Sequence, residues 1–226
     1  MNGANTSNPV ARRSFLARLT AGATALGLTG STKAQAQTAP GLDWRPTAHP
    51  EDDWFAELPG QHRFFFDTTT SAGLGTGMLY ANNYFVANRT GYNIGDEDLA
   101  VVICLRHFST PFAFSDAMWA KYGSTMAPMI GTTSSGTNPR LSSADASEPG
   151  GGVTLEGLIG RGVHFAVCDM ATTFFAGTLA RATGGSAEAV HAELVANRIG
   201  NAHMVSAGIV AVNRAQERGY SFAYVG

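Results

Sequence analysis

Apolar positions fall in short continuous runs, and between them they recur at helical spacing. Arg63 to Asp67, with three phenylalanines in a row, Leu99 to Leu105, Gly162 to Cys168, His203 to Ala207 and Tyr220 to Val225 are the runs. The first three, bounded by turn-forming or polar residues, have the pattern of buried strands, and the last two read as a short fourth strand and a closing strand. Helical spacing predicts helices at Met78 to about Arg89, Asp116 to Tyr122 behind a Ser115 cap, Val153 to Ile159, Ala171 to Ala182, Ser186 to Ile199 and Ile209 to Arg218. Gly184-Gly185 separates two of these helices and Gly219 stops the last. Strand and helix alternating in this way predict a single three-layer α/β/α domain around a mainly parallel five-stranded sheet, with right-handed crossovers.

Three stretches fall outside this pattern. Residues 37–61 hold Pro40, Pro46, Pro50 and Pro59 with Trp44 and Trp54, so they predict no long regular element but an arm lying over the domain or a neighbour. Gly73-Leu74-Gly75-Thr76-Gly77 is spaced G-x-G-x-G, not as a dinucleotide fingerprint, and reads as a flexible turn before its helix. Residues 123–152, rich in Gly, Ser, Thr and Pro, predict a long excursion between elements.

The parallel sheet gives the polar residues at strand ends a meaning, because ligands and chemistry in such sheets gather at the carboxyl edge. Cys168 ends one run and directly precedes a helix; Arg106 and His107 end another, and Pro111 keeps that strand from continuing. A thiol acts through its thiolate, which a helix N-terminus and a nearby cation favour, so Cys168 with His107 and Arg106 is the candidate reactive group. Asp169 opposes them by like charge. The alternative is that Cys168 is a small buried residue and that Arg106 pairs with a carboxylate to hold the rim together. Asp116, Trp119 and Asp169 are the candidate ligand-binding residues near the rim, with the 123–152 excursion as cover. No C-x-x-C or H-x-x-x-H spacing supports a metal site, and none is expected. Cys104 lies inside its run and reads as a core residue, which leaves Cys168 as the exposed thiol. His164 and His203, within or beside strands, read as structural.

Composition changes the picture at the N-terminus. Arg12-Arg13-Ser14-Phe15-Leu16 leads into the uncharged stretch Leu19 to Ser31, which ends near Ala34-Gln35-Ala36, the layout of a twin-arginine export signal cleaved after Ala36. The apolar stretch is shorter than the roughly 20 residues that span a bilayer. A periplasmic product with no membrane attachment after cleavage is expected. The chain has 15 basic and 17 acidic residues. Residues 1–36 hold Arg12, Arg13, Arg18 and Lys33 and no acid, so 11 basic residues remain against 17 acidic. Nothing basic clusters among them, which excludes the electrostatic footprint of a nucleic-acid binder.

Leu105-Arg106-His107 followed by Pro111, then Asp116-Ala117-Met118-Trp119-Ala120-Lys121-Tyr122, Gly162-Val163 through Val167-Cys168, and Ala215-Gln216-Glu217-Arg218-Gly219-Tyr220 occur in this order. From about residue 62 onward the chain resembles the DsrE/DsrF-like sulfur-relay family, including its exported members with a twin-arginine signal. The resemblance implies a single α/β domain, assembly into a homo-oligomer (a trimer or a multiple of one), and a cysteine that carries persulfide sulfur, for which Cys168 stands in the matching position. No other cofactor is expected. Two functions stand as expectations: handling of sulfane sulfur from a small sulfur compound, or thiol redox chemistry, through Cys168; or binding of a small ligand, or assembly, without turnover.

Overall fold

The computed structural model describes residues 45–134, 136–143, 147 and 150–226. The expected export signal and Trp44 of the arm lie outside them. After a short helix α1 (Trp54–Glu57), the chain forms β1 (His62–Thr68), α2 (Ser71–Tyr92), β2 (Leu99–Leu105), a 3-10 helix at His107–Ala113, α3 (Asp116–Met129) and α4 (Leu155–Gly160). There follow β3 (His164–Cys168), α5 (Asp169–Thr183), α6 (Ala187–Ala196), β4 (Ala202–Val205), α7 (Gly208–Glu217) and β5 (Ser221–Val225). The five strands make one sheet in the order β4-β3-β2-β1-β5. Every pairing is parallel, so the expected sheet is found and is wholly parallel.

Handedness then decides which face each helix covers. From β1 through β4 the chain steps across the sheet in one direction, and right-handed crossovers put all of those connections on one face. Residues of α2, α3, α5 and α6 accordingly share one large core with Phe66, Ile103, Leu105 and Phe165. The step from β4 to β5 runs the opposite way, so α7 lies on the other face, where Ala211, Val212 and Ala215 pack with Phe65, Val102 and Cys104. That second face is completed by the arm. Phe55 of α1 is fully buried there, 6.2 Å from Phe65 and 5.8 Å from Tyr220 between ring centres. Its carbonyl accepts hydrogen bonds from Arg63 and Tyr220, each at 2.7 Å. Burying such a ring contributes about 2 to 3 kcal/mol. Phe55 is therefore covered by its own domain and offers no area for assembly.

Two expectations about loops are corrected. The glycine-rich stretch is the first two turns of α2, not a turn before it: Thr70 caps the helix, its hydroxyl accepting from Gly73 N–H at 2.8 Å. A Cβ on Gly73 would sit 2.5 Å from the Val225 carbonyl oxygen, and one on Gly77 2.9 Å from the Thr68 methyl. These glycines let the helix lie against the sheet; they are not there for flexibility. Likewise α3 runs on to Met129, so the excursion begins at about 130. Asn138 ties it down, donating through Nδ2 to Phe112 O and Phe114 O at 2.9 Å each. No helix among the described residues is long and apolar enough to cross a membrane.

Candidate functional site

β3 and β4 are neighbours whose chains leave the sheet toward opposite faces, into α5 and α7. A crevice opens where such strands part. Here it is a cavity of about 490 Å³, lined by Arg106, His107 and Phe108 after β2, Cys168 and the first turns of α5, and Ala207, Gly208 and Ile209 where α7 begins. The register explains the meeting of residues some sixty positions apart: Leu105 lies beside Val167, so the next residues, Arg106 and Cys168, reach the same rim.

Cys168 is 6% exposed, a correction to its expected place as an exposed thiol; it lines the cavity instead. It occupies the N-cap position of the 15-residue α5 without a side-chain capping bond. The first free N–H groups of a helix favour negative charge. Cys104 is wholly buried on β2 and is the core residue expected. Burial, followed by the charge of Asp67, pushes its thiol well above the usual range. Both cysteines are free thiols.

The rim is held by polar groups that are almost all paired. Asp67, at the end of β1 and 1% exposed, accepts two hydrogen bonds from Arg106, Nε to Oδ1 at 2.6 Å and Nη2 to Oδ2 at 2.8 Å. That hydrogen-bonded carboxylate raises the Arg106 pKa further. Ser109 Oγ donates to the Thr68 carbonyl at 2.9 Å and accepts from Arg106 N–H at 3.0 Å, closing the turn after β2. His107 begins that turn with φ of +51°, in the left-handed region that a residue with a side chain enters only at a cost. His107 is exposed and lines the cavity. Gly208 seals the other side, because a Cβ there would lie 2.5 Å from Arg106 Cδ and 3.0 Å from Cys104 Sγ.

Of the six residues singled out by sequence, Cys168, Arg106 and His107 line one cavity. Arg106 also takes the pairing held open as the alternative: its guanidinium faces Asp67 and is not a free cation beside the thiol. The other three residues lie elsewhere. The His107–Ala113 helix carries the chain away from the rim, so that Phe114 bridges Arg198, four positions before β4 starts. Asp116 therefore accepts a hydrogen bond from Asn138 N–H at 2.8 Å. Trp119 is fully buried and donates through Nε1 to Pro111 O at 3.0 Å. Asp169, the first residue of α5, turns to α6 and meets His191 Nε2 at 2.7 Å.

Sequence reasoning missed Asp67, Phe108, Met170, Phe174, Gly208 and Ile209. The acid closing an aromatic strand was a readable signal for Asp67; the others come from separate segments that only the fold assembles. Among the described residues no group of three or more His, Cys, Asp or Glu side chains comes together to hold a metal.

No protein-family model matches the chain, and no curated protein matches it. A solved structure of a protein of unknown function from Methanobacterium thermoautotrophicum is similar over 73% of this chain and 99% of that one, at 15% identity and a TM-score of 0.35.

Proposed function

We propose that this is an exported, periplasmic sulfur-handling protein in which Cys168 takes up sulfane sulfur and hands it on. The observation that carries the reading is a thiol at the N-terminus of a long helix, lining a cavity shared with the imidazole of His107. In the uptake step the Cys168 thiolate attacks the outer sulfur of a persulfide R–S–SH. The new bond joins Cys168 Sγ to that sulfur, the S–S bond to R–S breaks, and R–S⁻ leaves to be protonated; no net oxidation occurs. His107 accepts the thiol proton beforehand and returns it to the leaving thiolate. Arg106, occupied by Asp67, positions the rim. The resemblance to the DsrE/DsrF-like family supports the same reading, and with it a homo-oligomer.

Mass spectrometry after exposure to polysulfide tests the uptake. Wild-type protein and Cys104→Ala should each gain one sulfur, mapped to Cys168, and Cys168→Ser should gain none. A gain that persists in Cys168→Ser removes the proposal.

The exposed apolar residues at the cavity mouth favour a second reading, a protein that binds a small ligand without turnover. Native mass spectrometry of a co-purifying ligand separates the two. Affinity kept in Cys168→Ser and lost in Phe174→Ser would decide for binding alone.

A further inference from the structure

The cavity mouth carries an apolar collar drawn from three segments of the chain. Phe108 is 48% exposed, Met170 70%, Phe174 56% and Ile209 62%, and all four line the same cavity. Scattered exposed apolar side chains need no explanation, but a contiguous set around one concave site does. The collar surrounds a thiol that is more than nine-tenths buried and has no side-chain capping bond.

The charges point the same way. Among the described residues lining the cavity, Arg106 is the one with a permanent charge, and both oxygens of the buried Asp67 already hold its guanidinium. An inorganic sulfur anion, or a persulfide on an acidic peptide, would leave water to meet an apolar wall with a single imidazole to pair with. An organic group would instead cover the collar, at about a four-fold gain in affinity for each methylene buried.

We infer that the substrate of this site is an organosulfur compound with an apolar body, the persulfide of an apolar alkyl or aryl thiol, attacked in its protonated R–S–SH form. The inference rests on Cys168 being the working thiol. The transfer is the one written above, with R an apolar group: Cys168 gains the outer sulfur, R–SH departs, and the donor's apolar group holds the S–S bond against Cys168 Sγ.

Two thiol reagents with the same reacting bond test the claim on the full chain. Benzyl methanethiosulfonate and 2-sulfonatoethyl methanethiosulfonate each give a mixed disulfide with Cys168 and release methanesulfinate, but the first is neutral and apolar and the second anionic. Rates are followed by mass spectrometry with peptide mapping, and their ratio is compared with that for free cysteine. The neutral reagent should be favoured at Cys168 by about ten-fold or more over that reference. Phe174→Ser and Met170→Ser, both surface changes, should lower the preference to less than about three-fold, chiefly by slowing the neutral reagent. A ratio equal to that of free cysteine, or a preference for the anion, overturns the inference, as does an inert Cys168. Light scattering on the same variants covers one more case: if either changes the oligomeric state, the collar is a contact between copies and the inference fails. If the preference stands but no sulfur is gained from polysulfide or from an alkyl persulfide, sulfur transfer fails and the apolar ligand class survives.

Discussion

The two edges of the sheet use similar residues to opposite ends. At the carboxyl edge Arg106 and His107 border a cavity that holds a thiol. At the amino edge a smaller hollow of about 290 Å³ is lined by His164, Arg198, Asn201 and His203. There His164 Nδ1 lies 2.8 Å from His203 Nε2, and Trp54 of α1 stacks on His203 with ring centres 4.0 Å apart. Burial first, then His164 and Arg198, hold the His203 pKa down to about 4. So the amino-edge histidines stay neutral, bonded to each other and stacked under the arm. At the carboxyl edge the imidazole is exposed, and it is the arginine that is locked. Residue type does not mark a site; what marks it is how the strands leave the sheet and which groups are already paired.

The comparison can be broken by replacing one charged group at each edge. Asp67→Asn should cost about 3 kcal/mol in urea unfolding, because it leaves Arg106 without its buried partner. Arg198, whose Nε is buried without a partner among the described residues, should be replaceable by Met for less than about 1 kcal/mol. Equal costs would erase the contrast.

Packing is the next largest effect. Gly208→Ala should cost about 2 kcal/mol, since its Cβ would collide with Arg106 and Cys104, and it should also slow labelling of Cys168. Unchanged stability and labelling would mean that α7 is free to retreat from the rim.

Protonation sharpens the amino edge. His203 resists a proton in the folded state down to about pH 4, whereas the unfolded chain takes it up near pH 6.5. Between those values the unfolded state holds more protons, so stability falls as pH falls from 6.5 to 4. Because the ring is partly exposed, the loss attributable to it should be about 1.5 kcal/mol. Comparing pH profiles of unfolding, His203→Phe should lose that component and Cys168→Ser should keep it; the reverse would put the titration at the wrong edge.

The smallest effect belongs to Ser115, whose buried hydroxyl has no partner among the described residues although it stands at the N-cap of α3. Ser115→Ala should change the melting free energy by less than about 0.5 kcal/mol, far below an ordinary cap deletion.

How much of this was legible follows from which forces are local. Continuous apolar runs announced the strands, and strand ends announced that Cys168, Arg106 and His107 would share a rim. Gly73 to Gly77 misled because the tightest contact that requires glycine, Gly73 against Val225 O, comes from a residue distant in sequence. Asp116 and Trp119 misled because closeness to His107 along the chain was taken for closeness in space, while a buried 3-10 helix carries the chain toward the other edge. The collar was invisible for a related reason: Phe108, Phe174 and Ile209 belong to three separate segments that only the fold brings to one cavity.

The strand order has a temporal side. β1, the first strand along the chain, lies between β2 and β5, and Arg63 bonds Tyr220 across 157 positions of sequence. During synthesis one flank of β1 stays open, and its backbone groups unpaired, until residue 221 and its neighbours have emerged. So long a wait for a non-local pairing slows folding and invites misassociation at the open edge. A nascent chain of this protein therefore has most of its large core available early but gains its final lock in a single late event, when β5 docks and the Val225 carbonyl settles against Gly73.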